Sequence, residues 1–166
     1  MNSAAGQAAP RGGVDRACSA CAEIAGDTIA PGGVIFDDGL WFVSHHTGPF
    51  TDPGELMVKT RRHCESLGEL SGSEAIGLGP ILKAAVGALE RVIVAERIYA
   101  VSFNERVRHV HFLLLPRTAA MPRGHVISDL YRRARNLLRR VGLLRNPTPA
   151  ARADAAERIR RQWVQP

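Results

Sequence analysis

Two short apolar runs near the start of the folded sequence, Val34-Ile35-Phe36 and Leu40-Trp41-Phe42-Val43-Ser44, flank Asp37-Asp38-Gly39. Branched and aromatic residues on either side of an Asp-Gly turn predict a β-hairpin. A third short strand, Leu56-Met57-Val58, follows the Asp52-Pro53-Gly54 turn. From Ser73 to about Val94 the period changes. Ile76, Ile81, Leu82, Ala85, Val86, Leu89, Val92 and Ile93 fall at helical spacing, with Ser73 available as the N-cap. Ile98 to Phe103 and Val107 to Leu115 then read as two strands joined tightly at Asn104-Glu105. The economical packing is an α+β fold in which an antiparallel sheet is backed by one main helix.

Beyond Pro116 the pattern is helical again. Ile127, Leu130, Tyr131, Ala134, Leu137, Leu138 and Val141 make an apolar stripe, and Arg132, Arg133, Arg135, Arg139 and Arg140 fill the other faces. Asn146-Pro147-Thr148-Pro149 breaks this helix, and a second Arg-rich one is expected to run to Trp163. Residues 1–16, rich in Ala, Gly and Pro without periodicity, are expected to be disordered. The organisation is therefore a disordered segment 1–16, a domain 17–117 and a basic helical C-terminal extension 118–166.

Charge sharpens that division. From Arg117 onward twelve arginines face three carboxylates, an excess of +9, whereas the part before it carries −3. No aromatic interleaving accompanies the arginines, so a solvated helix face is favoured over a nucleic-acid surface. No apolar run reaches the roughly 18 residues of a membrane span, and the N-terminus has neither charged leader nor apolar core, so a cytoplasmic protein without membrane contact is expected.

The chemistry gathers in His109-Val110-His111-Phe112-Leu113-Leu114-Leu115-Pro116-Arg117. On a strand, positions two apart share a face, so His109 and His111 stand together while Val110, Phe112 and Leu114 turn to the core. Buried imidazoles need partners, and a metal, a phosphate or a proton donor qualifies. Cys18 and Cys21 form a Cys-x-x-Cys pair, which in a cytosolic chain reads as a metal or redox site, or as two plain thiols. With His63 and His109 they make a Cys2His2 set suited to tetrahedral zinc. His111 is then left as an uncoordinated imidazole able to attack phosphorus or carry a proton. Cys64 is left over.

These residues resemble the histidine triad superfamily of nucleotide hydrolases and transferases. That family ends its domain on His-φ-His-φ-His-φ-φ, often followed by Pro-Arg, after an earlier strand of the form Pro-Gly-His-x-x-Val-x-Pro-Lys-x-His. The corresponding pieces are the 109–117 strand and Pro53-Gly54-Glu55-Leu56-Met57-Val58-Lys59-Thr60-Arg61-Arg62-His63, and the similarity spans Cys18 to Arg117. The family's nucleophilic histidine stands five positions before the Pro, which selects His111. The resemblance also implies a structural zinc ion held by Cys18, Cys21, His63 and His109, as in the Cys-x-x-Cys branch.

The departures are as specific. Leu113 occupies the third triad position, where the family places a His or Gln that hydrogen-bonds near the transferring phosphoryl group. Glu55 replaces the His of Pro-Gly-His, and the Gly-containing phosphate loop is reduced to Asn104-Glu105-Arg106-Val107-Arg108. Asn104, Glu55, His46 and Arg108 are the candidate substrate contacts, although strict alternation turns Arg106 and Arg108 away from His111. His45 and His46 lie where the family contacts the ribose. The resemblance implies attack of His111 on the α-phosphorus of a nucleotide or phosphorylated small molecule, in a homodimer. Two alternatives stand beside it: a non-catalytic nucleotide- or partner-binding protein, and a biosynthetic enzyme with an altered pocket.

Overall fold

The computed structural model describes residues 17–166, and of residues 125–128 the backbone alone; the segment 1–16, expected to be disordered, lies outside the described residues. A short helix α1 (Ser19–Ile24) leads into β1 (Val34–Asp37), β2 (Trp41–His45) and β3 (Leu56–Thr60). One 3-10 turn, Leu67–Glu69, precedes the long helix α2 (Gly72–Val92). Strands β4 (Arg97–Val101) and β5 (His111–Arg117) complete the sheet, and helices α3 (His125–Arg140) and α4 (Pro149–Arg161) end the chain. The sheet runs β1-β2-β3-β5-β4 with every pairing antiparallel, the α+β architecture that the periodicity predicts.

The first hairpin turns where Asp and Gly direct it. The Asp37 carboxylate accepts the Gly39 amide at 3.0 Å, and Asp38 accepts the amides of Leu40 and Trp41 at 2.9 and 2.7 Å. Short acidic side chains thus do the work of backbone acceptors. The next turn needs glycine at position 54, whose φ is +90° and where an added Cβ would meet Ile93 at 2.8 Å.

Helix α2 begins two residues earlier than expected. Its N-cap is Ser71, not Ser73: the Ser71 hydroxyl accepts the Glu74 amide at 3.2 Å while the Glu74 carboxylate accepts the Ser71 amide at 2.7 Å. Only a Ser three residues before Glu74 can close this reciprocal box.

Strands β4 and β5 are not joined tightly. β4 ends at Val101 and β5 starts at His111, so residues 102–110 form a loop. Asn104, at φ +52°, is the one non-glycine residue with positive φ among the described residues. Its side-chain oxygen Oδ1 accepts the His111 amide at 3.3 Å. His109 therefore sits just ahead of the strand, and the strict alternation invoked for Arg106 and Arg108 does not apply.

One sheet face is the core. Val43, Val58, Val110 and Leu114 pack there against Ile81, Ala85, Ala88 and Leu89 of α2. Ala156 and Ile159 of α4 complete the same cluster, each fully buried. Phe36 stacks on Trp163 with ring centroids 4.8 Å apart. Gly32 lets α4 come this close, since a Cβ there would meet Ala156 at 2.7 Å. The end of the C-terminal extension is thus part of the domain core. Among the described residues no helix is long and apolar enough to cross a membrane.

Candidate functional site

Helix α1 carries Cys18 at its N-cap and Cys21 one turn later, both buried, with Val107 of the 102–110 loop packed against them. Their side chains meet His63, which follows β3, and His109. Cys18 Sγ lies 3.5 Å from His109 Nδ1, Cys21 Sγ 3.5 Å from the same nitrogen and 3.3 Å from His63 Nδ1. All four ligand atoms lie within 4.8 Å of one another. Zn–S and Zn–N bonds of about 2.3 and 2.0 Å set tetrahedral edges of roughly 3.3–3.8 Å, so the donor set fits zinc with small adjustments. His109 Nε2 donates to the Thr60 carbonyl at 2.7 Å. That outer bond leaves Nδ1 as the ligand atom, the support expected of a metal-binding imidazole. Cys64 takes no part: its sulfur is buried in the core 3.5 Å from the Thr60 hydroxyl.

His111 stands on the sheet face opposite the apolar core. Its Nδ1 donates to the His109 carbonyl at 2.6 Å. Nε2 has no protein partner among the described residues, and the ring lines a cavity of about 600 Å³. Burial pulls the His111 pKa below its usual value, with the Lys59 charge adding to the effect, so the imidazole is neutral and Nε2 carries a lone pair. The cavity is walled by Ser19, Ala20 and Glu23 of α1, His46 and Thr47 after β2, Met57 and Lys59 of β3, residues 103–107 and Arg133 of α3.

The expected substrate contacts are placed unequally. Asn104 lines the cavity and also holds the first amide of β5. His46 lines it with Nδ1 accepting the Gly48 amide at 2.8 Å, which leaves Nε2 as the protonated nitrogen; burial and the neighbouring cationic groups lower its pKa to about 4. Arg108 is outside the wall, exposed, with its guanidinium 3.6 Å from Glu65. Arg106 lines the cavity in its place. Glu55 also lies outside the wall, buried, 3.6 Å from Arg132 of α3. Burial raises its carboxyl pKa although Arg132 opposes this. Next to it Asp52 accepts Arg135 and Arg139 at 3.0 and 2.6 Å, and Arg139 also donates to the Phe50 carbonyl. Glu55 is thus one of two carboxylates that hold α3 beside the sheet.

A buried charged pair in the cavity wall was not anticipated from the sequence. Lys59 is 1% exposed, and its Nζ lies 2.6 Å from Glu23 Oε2. The Ser44 hydroxyl donates to the other oxygen of Glu23. Burial lowers the Lys59 pKa from its usual value, an effect Glu23 opposes. A lysine in the middle of a strand beside a candidate nucleophile was the available signal, but its partner lies 36 positions away in the sequence.

No family model and no curated protein matches the chain. Solved structures do. A Hit-like protein involved in cell-cycle regulation from Bartonella henselae is 15% identical and superposes with a TM-score of 0.64 over 90% of this chain and 99% of that one. A zinc-bound histidine triad family protein from Mycobacterium smegmatis is 19% identical, with a TM-score of 0.60 over 87% and 91%. A hypothetical histidine triad nucleotide-binding protein from Sulfolobus tokodaii is 12% identical, with a TM-score of 0.64 over 87% and 91%. At these identities the likeness concerns the fold: this chain has the histidine triad fold, with a Cys2His2 cluster where zinc can bind.

Proposed function

We propose that the protein is a nucleotide hydrolase or transferase that acts at an α-phosphate through His111. The observation that carries this reading is the His111 ring itself, with Nδ1 committed to the His109 carbonyl and Nε2 unengaged at a cavity of nucleotide size. The Sulfolobus relative, described as nucleotide-binding, supports the ligand class. In the proposed reaction the Nε2 lone pair forms a bond to phosphorus while the bond to the leaving group breaks with its electron pair, and a water proton completes that group. Water or a second acceptor then attacks phosphorus, the N–P pair returns to Nε2, and the acceptor's proton passes to solvent.

Cys18, Cys21, His63 and His109 would hold zinc, which supplies a cross-link and no open position when all four ligands are protein atoms. The His109 carbonyl that orients His111 belongs to one of those ligands, so the metal site and the nucleophile share a support. Asn104, His46 and Arg106 are the proposed substrate contacts, Arg106 taking the part expected of Arg108. Association as a homodimer is proposed through the edge strand β4, Arg97–Val101, because α4 already covers part of α2. Light scattering that gives a monomer mass at high concentration overturns it.

Leu113 favours the second reading, binding without turnover. It is half-buried on the His111 face and offers no donor to a phosphoryl oxygen. An assay with adenosine phosphoramidates, whose leaving group is good, separates the two. Turnover is expected in the wild type, falling by about 1000-fold or more in His111→Ala. Leu113→His is expected to raise the rate by roughly 10- to 100-fold, below the full value of a preorganised donor. Turnover that survives His111→Ala refutes the histidine nucleophile. Nucleotide binding with no turnover in either protein establishes the second reading.

A further inference from the structure

The pairing of β3 with β5 sets Lys59 directly opposite His111. Opposed residues on an antiparallel pair have Cβ atoms about 4.5–5.5 Å apart and project on one face, so the ammonium and the imidazole border the same space. Both line the cavity. An ammonium has three N–H donors. Glu23 takes one, the Phe42 ring lies 5.2 Å from the nitrogen, Cys18 and Cys21 act on its charge, and no further hydrogen-bond partner is found for it among the described residues. Two donors on a buried cation are therefore unspent beside the imidazole.

The other cations of the wall are differently placed. Arg133 is largely exposed and bonded to Asp129 at 2.6 Å, and Arg106 is an exposed loop residue. Lys59 is the buried cation of this cavity among the described residues, and its position is fixed. Glu23 holds its head from α1, and the Ser44 hydroxyl in turn holds Glu23. Fixing a charge in this way costs the protein desolvation of both partners, which a packed apolar pair would avoid. Position 113, the next inward position after His111 on the same face, is apolar and makes no claim on an anion.

We propose that Lys59, held by Glu23 and Ser44, is the oxyanion site of this cavity, its free donors taking a phosphoryl oxygen of the ligand at His111. The phosphate load that Leu113 cannot carry passes to the neighbouring strand. Charge-assisted bonds from a low-dielectric site are stronger than those of a solvated arginine, so Lys59 outweighs Arg106 and Arg133 in binding the phosphoryl group. This rests on the phosphate-binding part of the function proposed above, and not on turnover.

The test is calorimetric titration of the zinc-loaded protein with AMP, adenosine and inorganic phosphate. The wild type is expected to prefer AMP over adenosine by roughly tenfold or more. Lys59→Met should erase that preference while leaving adenosine binding in place, and Lys59→Arg should restore part of it. Because Lys59→Met strands the Glu23 carboxylate, the double variant Glu23→Gln/Lys59→Met is titrated beside it, with zinc content and far-ultraviolet circular dichroism reporting the fold. A double variant that folds, holds zinc and still prefers AMP overturns the proposal. Phosphate binding that depends on Lys59, without any nucleotide binding, keeps this site and removes the nucleotide reading. A wild type that binds neither phosphate nor AMP overturns both.

Discussion

On one face of the sheet Val43, Val58, Val110 and Leu114 meet α2 and α4 through apolar contacts. On the other, Ser44, Lys59 and His111 meet α1 and the 102–110 loop through charges, hydrogen bonds and a cluster of thiols and imidazoles. The apolar face gains stability from burial itself. Every buried group on the polar face costs desolvation that only a specific partner offsets. The polar face is thus the one where a single lost partner has the largest effect, and where chemistry is concentrated. Helices α3 and α4 repeat the contrast. Both are rich in arginine, yet α4 enters the core with Ala155, Ala156 and Ile159 while α3 is held by Arg132, Arg135 and Arg139 on Glu55 and Asp52.

Removing zinc should produce the largest change. The outer residues of the cluster are 91 positions apart, so a metal held by all four would close almost the whole domain onto α1. Apo protein, prepared by chelation or as Cys21→Ser, is expected to lose about 4 kcal/mol or more, which lowers Tm by roughly 8–16 °C for a chain of this size. Metal analysis of the untagged protein should give one zinc per chain. Zinc-free protein with an unchanged Tm breaks the claim that the polar face depends on its partners.

Next comes the Lys59 and Glu23 pair. Lys59→Met leaves a buried carboxylate without its cation and should cost about 3–5 kcal/mol in urea unfolding, whereas Glu23→Gln/Lys59→Met should recover most of that loss. A double variant no more stable than the single one shows that the pair does not behave as a coupled buried ion pair. On the apolar face the corresponding change is Ile159→Ala, expected to cost about 2–5 kcal/mol by leaving a cavity between α4 and the sheet. No second substitution of polar type should rescue it. A loss under 1 kcal/mol would place α4 outside the core.

The faces were not equally legible from sequence. The first hairpin, the long helix and the core positions Val110 and Leu114 follow from periodicity and turn residues, because local physics decides them. The cluster of Cys18, Cys21, His63 and His109 was readable because ligand chemistry restricts residue types so strongly. What escaped depends on residues far apart in the chain. The partner of Lys59 is on α1, and nothing local marks Glu23 as buried. β5 starts later than the pattern predicts because Val107-Arg108 continues the alternation in sequence, while Asn104 caps the strand at His111 from the loop. α4 showed no strong apolar signal, since alanines supply much of its buried surface. The N-cap falls on Ser71 and not on the expected Ser73 because only Ser71 stands three residues before Glu74.

The smallest expected effect tests the outer side of α3. Leu137 is 61% exposed, and Leu130 on the same helix and Val141 at its C-cap are similarly open, so these side chains bury little when the chain folds. The helix is held instead by its guanidinium groups: Arg139 is buried and bonded to both Asp52 and the Phe50 carbonyl. Leu137→Ser should therefore change stability by no more than about 0.5 kcal/mol, as for an ordinary surface position. Arg139→Ala, which strips Asp52 and Phe50 of a shared donor, should cost more, about 1–3 kcal/mol. Urea midpoints measured at two protein concentrations decide the matter. If Leu137→Ser destabilises by more than about 1 kcal/mol, and more so as protein concentration rises, then a second copy covers the stripe and α3 has an apolar contact of its own. Equal midpoints at both concentrations leave α3 as a helix attached by charge.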